Sequence, residues 1–128
     1  MQPRVPVSVG ELLDKISILH IKAANIKDMA KLANIERETI ALQREVDALG
    51  LGAARSEDWD RRLREVNGQL WEIEDKIRIC EGQQNFGDDF VALARAVYKT
   101  NDLRAAIKRE INEATGSELL EEKSYEEY

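Results

Sequence analysis

Apolar residues recur along most of this chain at alternating spacings of four and three, the stripe that one helix face presents to a core. Leu12, Ile16, Leu19, Ala23 and Ile26 form the first stripe. Ahead of it, Ser8-Val9-Gly10-Glu11 has the spacing of a capping box, in which hydroxyl and carboxylate each satisfy an orphan N–H. A helix over about 9–27 is predicted. The preceding arm has apolar residues at 5, 7 and 9 with Pro3 and Pro6, so it reads as an extended arm or edge strand. A second helix, about 29–49, has Asp28 as its cap and the stripe Leu32, Ile35, Thr39, Leu42, Val46, Leu49, and Gly50 and Gly52 stop it.

The third segment is the most regular. Trp59, Leu63, Val66, Leu70, Ile73, Ile77 and Cys80 hold their register without a break, which predicts a helix over about 57–83 capped by Ser56. A turn at Asn85–Gly87 leads to a fourth helix, about 88–115, ended by Gly116. Short connections demand antiparallel neighbours. The expected fold is therefore all-α, a single domain over 1–128. Two long antiparallel hairpins form a four-helix bundle or coiled-coil-like domain, with a short extended N-terminal arm and a C-terminal tail over 117–128.

Composition agrees with long helices: of 128 residues, 34% are charged, and there are only 7 Gly and 2 Pro. Aromatic residues, at 5%, are too few for base-stacking platforms. The net charge of −6 is concentrated at the end, where the last twelve residues hold five Glu and one Lys. The rest is close to neutral and lacks the broad basic footprint of a nucleic-acid binder. One cysteine cannot form an internal disulfide, no apolar run is long enough to cross a membrane, and the start has no apolar run of signal-peptide length. A cytoplasmic location is the expectation, with neither a membrane nor nucleic acid as partner.

Few residues offer chemistry. Glu11 with Asp14, Glu72 with Asp75, and Glu110 with Glu113 have one-face spacing, as in the acidic pairs by which all-α nucleotide pyrophosphatases hold magnesium. However, Glu11→Lys15, Asp60→Arg64, Glu72→Lys76 and Glu74→Arg78 have the orientation of exposed helix ion pairs, so a solvated face is expected and no metal or cofactor. His20 lacks the Glu-x-x-His context of a di-iron bundle and reads as structural, and Cys80 lies in an apolar stripe as a core thiol. There is no P-loop, G-x-S-x-G or dinucleotide fingerprint.

The pattern breaks in the fourth helix. Leu93, Ala96, Val97, Thr100, Leu103, Ile107, Ile111 and Ala114 share one face, and Arg104 falls in its middle. Asn101 and Lys108 border that face, with Tyr98 farther round. An arginine in an apolar stripe must be paired, because an unpaired buried charge is very costly. If the last two helices turn near residue 85, Arg104 faces Val66, Asn67 and Gly68. Two roles compete. Arg104 meets a carboxylate from the first helix, the second helix or the tail and fixes register, or Tyr98, Asn101, Arg104, Lys108 and Asn67 line a site for an anionic ligand. The glycine at 68 would leave room beside the guanidinium in either case. Ile18, Ile21, Ile40, Trp71 and Ile79 lie off the stripes, which suggests a second interface and a homodimer.

The segments PVSVGELLDKISILHIK, WEIED at 71–75, FVALARAVYKTNDLRAAIKREIN and GSELLEEKSY resemble a bacterial family catalogued as a domain of unknown function. The resemblance covers nearly the whole chain and brings no catalytic role with it. It marks Trp71, Glu72, Glu74, Asp75, Tyr98, Asn101, Asp102, Arg104, Lys108, Glu122, Lys123 and Tyr125 as motif positions, and it implies that the tail docks on the body. The leading expectation is a cytoplasmic interaction or scaffolding module that forms a homo-oligomer or binds another protein. The alternative is a small-molecule site or enzyme for a phosphorylated or carboxylated ligand on the fourth helix.

Overall fold

A computed structural model describes residues 1–128 as four helices with no strand: α1 (Val9–Asn25), α2 (Met29–Leu49), α3 (Ala53–Gly82) and α4 (Asp88–Thr115). The caps explain most of the boundaries. Ser8 is extended and its Oγ accepts from the Glu11 N–H at 3.1 Å, while Asp28 caps α2 by accepting from the Lys31 N–H at 3.0 Å. Gly50 and Gly116 end α2 and α4 in the left-handed conformation, at φ 66° and 64°. Three local readings need correction. The capping box is half formed, since the Glu11 carboxylate turns to Lys108. Ser56 does not cap α3, because the helix starts one turn earlier behind Gly52. The N-terminal arm is extended but pairs with no strand.

α3 and α4 form one long antiparallel hairpin, about 45 and 42 Å long at 1.5 Å per residue. α1, about 26 Å long, lies along one face of that hairpin. Its first turn meets Asn112 and its middle meets Arg104 and Asn67, so it runs antiparallel to α4. α2 comes within 8 Å of α1 alone in Cα–Cα separation, covering the side of α1 that faces away from the hairpin. The arrangement thus departs from a symmetric four-helix bundle. α1 is the central element, enclosed by the other three.

The core gathers Leu12, Leu13 and Ile16 of α1, Val46 of α2, Trp59 and Leu63 of α3, and Ile111 of α4. Cys80 is a buried free thiol, as its stripe position predicts. Beyond α1 the hairpin continues with no third helix over it. α1 starts beside Asn112, and its length carries it only to the level of about residue 95 on α4. Farther out, Ile79, Phe86 and Val91 are each about half exposed or more.

Candidate functional site

The apolar stripe of α4 does contain a charge, and α1 supplies its partner. Asp14 is completely buried and accepts a bidentate pair from Arg104, from Nε at 3.0 Å and from Nη2. The Asn67 amide donates to the same carboxylate at 2.8 Å and to Ser17 Oγ at 2.9 Å, and that hydroxyl donates to the Asp14 carbonyl at 2.7 Å. Every buried polar side-chain atom in this layer has a partner. Burial of an ion pair is tolerated on just such terms. Pairing with Asp14 raises the Arg104 pKa above its ordinary value despite the desolvation that opposes it.

One turn along α4 a second cluster sits between α1 and the tail. Burial alone would lower the Lys108 pKa, but hydrogen bonds to Glu11 and Glu121 overcome it and leave the ammonium held above its usual range. Glu121 reaches in from the tail, 3.1 Å from Lys108, and accepts from Ser8 Oγ at 3.0 Å. Its carboxyl lies below the ordinary range, because Lys108 and Ser8 outweigh the burial that would raise it. The first turn of α1 is fastened to α4 and the tail by its own backbone. The Gly10 N–H donates to Asn112 Oδ1 at 2.6 Å, and the Val9 N–H donates to Ser117 Oγ at 3.2 Å. Contact there is close enough that a Cβ on Gly10 would lie 2.6 Å from the Lys108 carbonyl oxygen. Glycine is therefore required at position 10 on steric grounds.

The residues singled out from sequence fall into three places. Asn101, Arg104 and Lys108 line a cavity of about 150 Å³ roofed by the tail, together with Asn112, Glu121 and Lys123. Asn67, Trp71, Glu74 and Asp75 line a wider cleft of about 520 Å³ beside the end of α1, which Arg104 and Asn101 also reach. Tyr98 belongs to neither. It is exposed and packs edge-on against Tyr128, 5.3 Å away, whose hydroxyl donates to Asp102. Glu122 accepts from Arg109 at 2.8 Å, Lys123 sits 5.7 Å over the exposed Tyr125 ring, and Glu72 is exposed at the margin of a shallow groove with His20. The tail is thus docked along α4.

Two readings of the sequence are overturned. Glu11 and Asp14 are not a solvated pair, since Asp14 is buried under Arg104 and Glu11 holds Lys108. Gly68 does not make room for Arg104, because the space where its side chain would stand is open and faces the groove beside His20 and Ala24. The exposed status of Glu72, Asp75, Glu110 and Glu113 stands as expected. His20 sits against Arg64 and Asp60, and burial and the Arg64 charge lower its pKa, with Asp60 opposing. No group of three or more His, Cys, Asp or Glu side chains is placed to hold a metal ion, and no helix is long and apolar enough to cross a membrane.

The polar layer, the docked tail and the cleft use residues from both ends of the chain, and the family pattern spans the same extent. The chain belongs to the family of unknown function DUF6165, whose sequence pattern matches residues 3–128. Neither the curated proteins nor the solved structures yield a match. The buried layer and the docked tail lie wholly within the DUF6165 region, so they belong to the domain itself.

Proposed function

We propose that this DUF6165 chain is a helical interaction module whose docking face is the cleft beside the end of α1, and that a second copy of the chain occupies it. The observation that carries this reading is the composition of the cleft. Its floor is apolar, built from Ile18, Ile21, Leu70, Trp71 and Val97. Its rim carries both signs of charge, with Lys22 and Arg78 near Glu74 and Asp75. A face with both signs can satisfy itself across a two-fold axis, where each copy offers cations to the other's carboxylates. Toward the hairpin tip Ile79, Phe86 and Val91 are also exposed, further apolar surface for a partner to cover. The Asp14–Arg104–Asn67 layer holds α1 in register against the hairpin, so the cleft is formed before any partner arrives.

Light scattering at tens of micromolar tests this. The wild-type chain is expected to give twice the 14.6 kDa mass of one copy. Trp71→Glu is expected to halve that mass while leaving the melting temperature of the monomer close to unchanged, because Trp71 is outside the core cluster. A wild-type mass of one copy at that concentration overturns the self-docking reading.

A further inference from the structure

The cavity beneath the tail is lined chiefly by hydrogen-bond donors that the chain itself does not use. Asn112 is the most telling. Only 2% of it is exposed, and its orientation is fixed because Oδ1 takes the Gly10 N–H. Its amide nitrogen therefore turns away from Gly10 and makes no hydrogen bond within the chain, and Asn112 lines the cavity. The Asn101 amide lines the same space and likewise bonds to nothing. Arg104 spends Nε and Nη2 on Asp14 and keeps Nη1 free. Lys123 has no carboxylate partner and rests against a tyrosine ring. Lys108 and Arg109 complete the cationic wall, and Glu121 is the single carboxylate on it, engaged by Lys108 and Ser8.

We infer that this cavity is a binding site for a tetrahedral oxyanion, a phosphate or the terminal group of a phosphate monoester. Four unused donors line it, three from α4 and one from the tail, and an oxyanion is the ligand that accepts from all of them. Its volume of about 150 Å³ is some five times the roughly 30 Å³ that one water occupies in the liquid, enough for a small ion and too little for a nucleotide. The tail supplies Lys123 and forms the roof, so tail docking completes the site. The inference does not rest on the protein pairing with itself, although Asn101 and Arg104 line both the cleft and this cavity.

Titration calorimetry with sodium phosphate at pH 7.5, against sodium chloride of equal ionic strength, tests it. One phosphate per chain is expected to bind saturably. Asn101→Leu and Lys123→Gln should each weaken it about tenfold, the loss of one hydrogen bond to a charged group, while both variants keep the wild-type circular dichroism and melting temperature. Phenyl phosphate identifies the source. Tighter binding than inorganic phosphate assigns the site to a monoester that emerges past the tail, and weaker binding assigns it to the free ion. Absence of saturable heat up to 10 mM phosphate overturns the site, as does binding that neither variant weakens.

Discussion

Two glycines that look alike in the sequence should respond to substitution in opposite ways. A Cβ at Gly10 would press on the Lys108 carbonyl and on Asn112 Oδ1, 2.6 and 2.9 Å away, and neither can move without opening the α1–α4 contact. Overpacking of that kind costs about 1–3 kcal/mol, more than the gain in helix propensity returns. Gly68 has open space where its side chain would be, so Gly68→Ala is expected to stabilise by about 0.5–1 kcal/mol. Urea denaturation of the two variants measures both signs. Arg104→Ala leaves Asp14 buried without its cation and should cost about 3 kcal/mol, the low end for a broken buried pair because Arg104 keeps 28% exposure. Adding Asp14→Leu to Arg104→Leu should recover most of that loss. The Glu11 and Asp14 carboxylates are both taken by cations. Millimolar magnesium is accordingly expected to move the melting temperature by less than about 1 °C, and a rise of several degrees would reveal a specific site.

At the level of whole helices, the stripes in the sequence located all four elements, and Arg104 stood out because it interrupts one. Asp14 and Ser17 stayed hidden for a physical reason. A stripe presumes that a helix buries one narrow side, whereas α1 buries Leu12, Leu13, Asp14, Ile16, Ser17 and Leu19, which together cover well over half of its circumference. Enclosure by α2 on one side and the α3–α4 hairpin on the other turns an apparent polar back into a second interior face. Gly10 and Asn112 were equally silent, because what matters there is the approach of two backbones distant in sequence. From composition the tail was legible only as an acidic run, its docking being implied by the family resemblance alone, and its acidity is what makes it titrate. Glu121 has its carboxyl below the ordinary value of 4.5, so the docked state is favoured fully above that value and loses this contribution as pH falls through the lower, docked-state pKa. Backbone chemical shifts followed by NMR between pH 5 and pH 3 should show residues 117–128 moving to unfolded values before α1, α3 and α4 do. Glu121→Gln should reproduce the loosening at neutral pH. Tail shifts that stay at their docked values until the helices melt would contradict this.

For the molecule as a whole, the asymmetry of its packing has a consequence for motion. α2 has one helical neighbour, and only Ile35 and Val46 along its 21 residues are buried. Its links to the rest are short, residues 26–28 on one side and 50–52 on the other. Detaching it gives up little apolar contact, while detaching α1 breaks the Asp14 pair, the Gly10 contact and the shared core at once. The chain should therefore open in steps, with α2 leaving as a cooperative unit at a free energy well below that of global unfolding. Native-state hydrogen exchange at increasing urea would place the amides of α2 on one isotherm and those of α1, α3 and α4 on a higher one that merges with complete unfolding. In such an opened state the flank of α1 carrying Leu12 faces water, so a chain that never leaves its native topology still presents, for a small fraction of the time, an apolar strip absent from its resting surface.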